Sequence, residues 1–227
     1  MARLNESRIG ALLTEPFGAA FTKRAASSVH AEHGTALLVG LDADVTVTTP
    51  SATLRGRAVL VPSDTPYAAS CPGPTLTYSF DPELSGTPST SHVVEAVHAH
   101  RATLAKADTL SGIGHELLGG TPRPIDRRIA RLVETLRDPD ADRASAIATT
   151  KLSSAHLQAL FARDIGIPMR TYSLWRRLLH ALAHVGPLDL TAAAHAAGFA
   201  DLAHFSRTCR RMLGVAPSEL RANLVDG

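Results

Sequence analysis

The sequence predicts an α+β chain, a small antiparallel sandwich or barrel followed by an all-helical second half, and three observations carry that prediction. Residues 17–80 alternate short apolar or β-branched runs with Gly, Pro, Ser and Asp, at a strand spacing of about ten residues. After Pro124 nearly every segment places its apolar residues at helical spacing instead. The second half also superposes on itself when shifted by 48 residues.

Composition sets the limits. With 227 residues, 44% hydrophobic and 19% charged, and a mean hydropathy of +0.03, the chain suits one large or two smaller globular domains and excludes wholesale disorder or a fibrous design. Aromatics are only 4%, so cores must lean on Ala, Leu, Val and Ile. Cys71 and Cys209 are too few for a disulfide framework or a four-ligand zinc site, which points to free thiols in a reducing cytoplasm. No apolar run approaches a membrane span, and Arg3, Glu6 and Arg8 interrupt anything resembling a signal peptide, so a soluble cytoplasmic protein without membrane contact is expected. The net charge of +2 is unevenly spread. Residues 1–121 hold 8 basic and 11 acidic side chains, and residues 122–227 hold 15 and 10, so the second half is the one suited to a polyanion such as nucleic acid.

In chain order, strands are expected at Thr35 to Leu41, Asp44 to Thr49, Ala58 to Val61 and Leu76 to Phe80, with Asp64 to Pro66 as a turn. Pro82 to Ser91, rich in Pro, Gly, Ser and Thr, reads as a linker or surface loop. Val93, Val94, Val97 and Leu104 then fall at helix-compatible spacing within His92 to Leu104. Ile113, Leu117 and Leu118 suggest a second short helix stopped by Gly119 and Gly120. Thr121 to Pro124 reads as a hinge. The expected domains are 1–90 (β), 91–121 (helical, dimerising) and 122–227 (all-α). Because a helix appended to a small barrel needs something to cover it, the Val and Leu faces of His92 to Leu118 are the expected homodimer contact.

The shift of 48 lays Ala155-His156-Leu157 on Ala203-His204-Phe205, Arg163 on Arg211 and Gly166 on Gly214. In each copy an Ala-rich helix (Arg143 to Thr149; Leu190 to Ala197) enters a tight turn and then a second helix, with Gly198 where a helix-turn-helix wants positive φ. Ser153 and Asp201 are suitable N-caps. Leu157, Leu160 and Phe161 share one face, and so do Phe205, Thr208, Cys209 and Met212; both faces read as core, with Cys209 as a small apolar filler. The opposite strip is Ser154, Ala155, Gln158, Ala159 and Ala162 in the first copy and Leu202, Ala203, Ser206, Arg207 and Arg210 in the second. Small residues allow close approach to base edges, Gln pairs bidentately with adenine, and Arg with guanine.

From about Ile129 to Leu224 the text resembles the DNA-binding domain of the AraC/XylS family of bacterial transcription regulators. Leu152-Ser153, His156-Leu157, Leu160-Phe161, Gly166, Tyr172, Arg177 and Ala181 match its first part. Leu190, Ala194, Gly198-Phe199, Phe205-Ser206-Arg207, Arg210-Arg211, Gly214 and Pro217 match its second. Ile147, Ala193 and Cys209 depart from the usual residues, all at core positions. The resemblance implies two helix-turn-helix motifs joined by a linking helix, Met169 to Val185. That rod sets two recognition helices into successive major grooves of promoter or operator DNA. It implies base contacts from Ala155, Gln158, Ala159, Leu202, Ala203, Ser206 and Arg207, with Ser154 on the same strip. Phosphate contacts would come from Arg163, Arg176, Arg210 and Arg211. It also implies a transcription regulator, activator or repressor, with RNA polymerase as a further partner.

The first half resembles the cupin-like sensing domain that precedes many such domains: His30 and His33, then strands, then Leu60 to Tyr67. Cupins hold a metal with a paired His motif and a later His, but Tyr67 stands where the later His usually sits, so no metal or other cofactor is expected. His30, His33 and Tyr67 become the expected lining of a site for an unknown small-molecule effector inside the barrel. The competing reading, a cupin-type metalloenzyme fused to a DNA-binding tail, needs more ligands than two histidines and Glu32. The sequence shows no Ser-His-Asp or Cys-His arrangement, P-loop or dinucleotide fingerprint, and no enzyme is expected.

Overall fold

The computed structural model describes residues 11–13, 16–86, 88, 90, 92–119, 122, 124–138, 141–185 and 188–223. The expected signal-peptide breakers at 3, 6 and 8, Gly120 and Thr121 lie outside the described residues. Nine strands form the first half: β1 (Ala11–Leu13), β2 (Phe17–Thr22), β3 (Ala25–Ala26), β4 (Thr35–Gly40), β5 (Val45–Thr48), β6 (Thr53–Gly56), β7 (Ala58–Val61), β8 (Ala68–Cys71) and β9 (Thr75–Phe80). They make two antiparallel sheets, ordered β1-β2-β9-β4-β7 and β3-β8-β5-β6. The α+β reading holds, with more strands than the sequence announced. β8 is Ala-Ala-Ser-Cys, whose low intrinsic strand preference hides it.

Burial explains the layering. β4 lies between β9 and β7, with Thr35 opposite Phe80 and Val39 opposite Ala58. Its alternate residues go to two different cores. Ala36 and Leu38 join Val45, Val47, Val59, Val61, Tyr67, Ala69 and Cys71, which fill the space between the sheets. Leu37 and Val39 join Phe17, Phe21, Leu76, Tyr78 and Phe80 on the outer face of the larger sheet. A strand hidden on both sides reads as a continuous apolar run, and Ala-Leu-Leu-Val is one.

That outer face is covered by α1 (Val93–Ala99), a 3-10 turn (Arg101–Thr103) and α2 (Ala107–Leu117). Val93, Val97, Leu104, Leu110, Ile113 and Leu117 are all buried there. The Tyr78 hydroxyl donates to the Leu110 carbonyl at 2.8 Å, and Gly114 presents no side chain where the Phe17 ring meets α2. The expected dimer face is therefore corrected: the apolar sides of these helices are consumed within the chain, because an open five-stranded sheet needed the same cover.

The second half is α3 (Arg127–Arg137), α4 (Arg143–Thr149), α5 (Ser154–Ile165), α6 (Met169–Ala183), α7 (Leu190–Ala196), α8 (Leu202–Leu213) and α9 (Pro217–Asn223). Asp126, Asp142, Ser153, Asp189 and Asp201 each accept a backbone N–H as N-caps, Ser153 and Asp201 as the sequence implied. Two cores result. Ile129, Leu132, Val133 and Leu136 pack with Leu157, Leu160, Phe161 and Tyr172. Trp175, Leu178 and Ala181 pack with Ala194, Phe199, Phe205, Cys209 and Met212. Helix α6 contributes to both, its first turns to one and its later turns to the other. It ends at Ala183, two residues short of the expected Val185.

Candidate nucleic-acid interface

The second helices of the two units are built alike, although the turn before each has four residues in the first unit, 150–153, and five in the second, 197–201. Helices α5 and α8 are each 12 residues long and start 48 positions apart, at 154 and 202, and both close on a left-handed glycine, Gly166 (φ +95°) and Gly214 (φ +72°). In the preceding turns the left-handed position is Gly198 (φ +74°) in the second unit and Lys151 (φ +53°) in the first. The sequence reading missed the Lys151 conformation because lysine carries no signal for it. Between α5 and α8 runs the 15-residue α6, about 22 Å at 1.5 Å per residue.

Each expected contact residue has a definite place. Ser154, Ala155, Gln158 and Ala159 are exposed on α5, opposite buried Leu157, Leu160 and Phe161. On α8, Ala203, Arg207, Arg210 and Arg211 are exposed and Leu202 and Ser206 half-buried, opposite buried Phe205, Thr208, Cys209 and Met212. Arg163 reaches solvent from α5 while its guanidinium donates to Asp164 at 2.7 Å. His156 is exposed, whereas His204 sets its ring edge-on against Phe199 at 5.1 Å. Ala193 and Cys209 are fully buried and Ile147 packs at the margin of the first core, so the three departures from the family pattern all sit in or on cores. Burial pushes the Cys209 thiol up to about 12, which keeps it protonated and unreactive.

Arg176 stands apart from this strip. Its Nη1 lies 3.4 Å from Asp81, and the side chain is only 14% exposed. It is part of a charged seam between the two halves that sequence reasoning did not foresee. Asp81 and Glu83 both meet Arg137 of α3, at 3.6 and 3.5 Å, and Glu83 also meets His33 Nε2 at 2.5 Å. His33 Nδ1 completes the run at 3.2 Å from Asp64, and its ring stands edge-on to Tyr172 of α6. Burial alone would lower the His33 pKa, but the Asp64 and Glu83 carboxylates outweigh it and raise it to about 9. The same contact holds Glu83 below the ordinary carboxylate range against the opposing effect of burial. Glu83 lies in the stretch expected to be a linker or surface loop, yet it is buried; composition marked the turn correctly and concealed its one anchored carboxylate.

The residues expected to line an effector cavity sit on or beside this boundary. His30 packs against Tyr67 with the rings tilted by 50° and their centroids 4.3 Å apart, and it shares a hydrogen bond of 2.9 Å between Nδ1 and the Ser28 carbonyl. The Tyr67 hydroxyl donates to Glu32, which also accepts from Ser79. Burial raises the Glu32 pKa despite those donors. Next to His30, Ser28 gives both its N–H and its hydroxyl to the Gly214 carbonyl at 2.9 Å, so the segment carrying His30 is pressed onto the end of α8. A ligand-sized cavity of about 400 Å³ does occur at the seam, between Asp64, Pro82 and Glu83 on one side and Ile125, Asp164 and Ile165 on the other. The effector site expected from the sequence was inside the barrel, where the space between the sheets is filled by small apolar side chains.

With this geometry in view, comparison with known proteins is specific for the second half. The family model described as a helix-turn-helix domain matches residues 146–223. The HTH-type transcriptional regulator GlxA of Rhizobium meliloti (strain 1021) is 29% identical over 126 residues, which is 55% of this chain. The chain spans about two fifths, 39%, of that relative. Among solved structures, ToxT of Vibrio cholerae with a bound unsaturated fatty acid aligns over 93% of this chain and 97% of its own, with a TM-score of 0.57 at 10% identity. An apo form of ToxT carrying a lysine-to-alanine substitution gives 0.59 at 13% identity, covering 93% and 99% of the two chains. At such identities the likeness concerns the fold, and it extends through both halves. No described helix is long and apolar enough to cross a membrane.

Proposed function

We propose that the chain is a sequence-specific, AraC-type regulator of transcription that sets α5 and α8 into successive major grooves of one operator, a reading supported by the match of residues 146–223 to a helix-turn-helix domain. The observation that carries this reading is the exact repetition of a capped 12-residue helix, buried on one side and lined by small or cationic residues on the other, at both ends of a rigid 15-residue rod. Ala155, Gln158, Ala159, Leu202, Ala203, Ser206 and Arg207 then read bases, and Arg163, Arg210 and Arg211 meet phosphates. Arg176 joins them only after its contact with Asp81 opens.

Control by the first half follows from the same geometry. The sheet domain grips α3, α6 and the end of α8, so a small molecule taken up at the seam would change how freely the two reading helices seat on DNA. ToxT, whose structure holds an unsaturated fatty acid, supports a small-molecule effector for this fold. RNA polymerase and a second copy of the chain remain partners of the proposal, the latter through a surface other than the covered faces of α1 and α2.

Selection of bound sites from a random duplex library, followed by footprinting, tests it. Two protected segments about one helical turn apart are expected. Arg207→Ala should weaken the selected site by about 1–3 kcal/mol and leave random duplex nearly unchanged, whereas Arg163→Ala should weaken both alike. Equal losses on both duplexes for Arg207→Ala would remove its base-reading role.

A further inference from the structure

A second cavity, of about 360 Å³, opens within the helical half and is lined by Arg137, Arg143, Arg176, Arg177, His180 and His195, with Leu136 and the 196–198 turn as the remaining wall. Its lining comes from α3, α4, α6 and α7, so both reading units contribute, and its four guanidiniums stand on α3, α4 and α6. Among the described residues, no carboxylate lines it. Asp81 and Glu83, which meet Arg137 and Arg176, approach from the sheet domain.

Four guanidiniums around one concavity repel each other, and the usual structural reason for such a cluster covers only part of it. Arg137 stands in the last turn of α3, where a cation offsets the negative end of a helix. Arg176 and Arg177 lie in the middle of α6 and serve no terminus. Arg143 is the first residue of α4, the end at which a helix disfavours a cation. Arg177 is braced over the Phe199 ring at 5.9 Å, which fixes its stem in place.

We propose that this cavity binds a small polyanion carrying a di- or triphosphate group, held by guanidiniums of α3, α4 and α6. Arg143 and Arg177 engage it directly. Arg137 and Arg176 are shared between the anion and the Asp81–Glu83 pair, so occupancy draws them from the seam and loosens the hold of the sheet domain. This is a ligand site in the helical half, separate from any effector site at the sheet, and it stands whether or not the operator reading does. Backbone phosphates of DNA offer the same chemistry, and the experiment separates the two sources.

The full chain is titrated calorimetrically with sodium tripolyphosphate in the absence of DNA. A saturable 1:1 complex is expected. The Arg143→Gln/Arg177→Gln double variant should weaken it at least tenfold, since it removes two charge-assisted contacts. Arg163→Gln/Arg210→Gln, on the exposed ends of α5 and α8, should stay within about twofold. Urea unfolding followed by the single Trp175 checks that each variant is folded, and Arg143→Gln alone replaces the double variant if that one is not. Non-saturable uptake, or equal losses for the two double variants, would overturn the proposal. So would a loss of random-duplex affinity in Arg143→Gln/Arg177→Gln as large as its loss for tripolyphosphate, because the cavity would then be a seat for the DNA backbone.

Discussion

Gly198 and Gly214 share one backbone state, φ +74° and +72°, but different surroundings, which lets strain be separated from packing. A Cβ at Gly198 meets nothing within 4 Å, whereas at Gly214 it would lie 2.5 Å from the Ser28 carbonyl oxygen, 2.6 Å from His30 Nδ1 and 2.9 Å from Ser27 Cβ. Gly198→Ala should therefore show the left-handed penalty alone, about 1 kcal/mol. Gly214→Ala carries that penalty, an overpacking cost of about 1–3 kcal/mol, and roughly 1 kcal/mol for each Ser28 hydrogen bond displaced. With both Ser28 bonds displaced the total is about 4–6 kcal/mol, enough for the seam to part before the helices unfold. The assay is urea unfolding of both variants, read by Trp175 fluorescence and by proteolysis between the halves. Gly198→Ala should shift the midpoint slightly with the proteolytic pattern intact. Gly214→Ala should expose the inter-domain connection at low urea while Trp175 stays buried. Equal destabilisation by the two substitutions would refute the packing of Ser28 and His30 on Gly214.

Two further outcomes follow from the geometry. His33 binds its proton more tightly when folded, about 9 against an ordinary 6.5, so its contribution is complete below pH 6.5 and disappears as pH rises through 9. Seam stability should fall by up to about 3 kcal/mol over that interval, and His33→Gln should flatten the slope; an unchanged slope in the variant would assign the effect elsewhere. Asp201→Ala removes the cap that accepts the His204 N–H and should cost about 1 kcal/mol of stability and fray the start of α8, read by amide exchange at residues 202–204. Unaltered exchange there would show that the cap is dispensable.

How much of this was legible depends on distance along the chain. The repeat was readable because caps, turn glycines and the buried faces of α5 and α8 are local patterns, each visible within about a dozen residues. The left-handed Lys151 escaped because its exposed side chain does not advertise the conformation that the turn between α4 and α5 gives it. The covering role of α1 and α2 was half legible. Val93, Val97, Leu110 and Ile113 announced an apolar face, but nothing local said whether a partner chain or the adjacent sheet would take it. The seam was invisible. Residues 33, 64, 81, 83, 137 and 176 are ordinary charges in ordinary contexts, brought together only by the packing of two domains. His30 and His33 drew notice as a ligand pair, and their spacing does matter, since one meets the end of α8 and the other α6.

The glycine that closes each reading helix touches the sheet domain: a Cβ at Gly166 would stand 3.4 Å from Asp64, and Gly214 is bonded by Ser28. On the proposed reading, the first half would work as a caliper, pinching corresponding points of the duplicated units and fixing their separation independently of α6. Tolerance to an inserted base pair between the two half-sites would then gauge the jaws: a closed caliper should reject the altered spacing, and an opened one accept it.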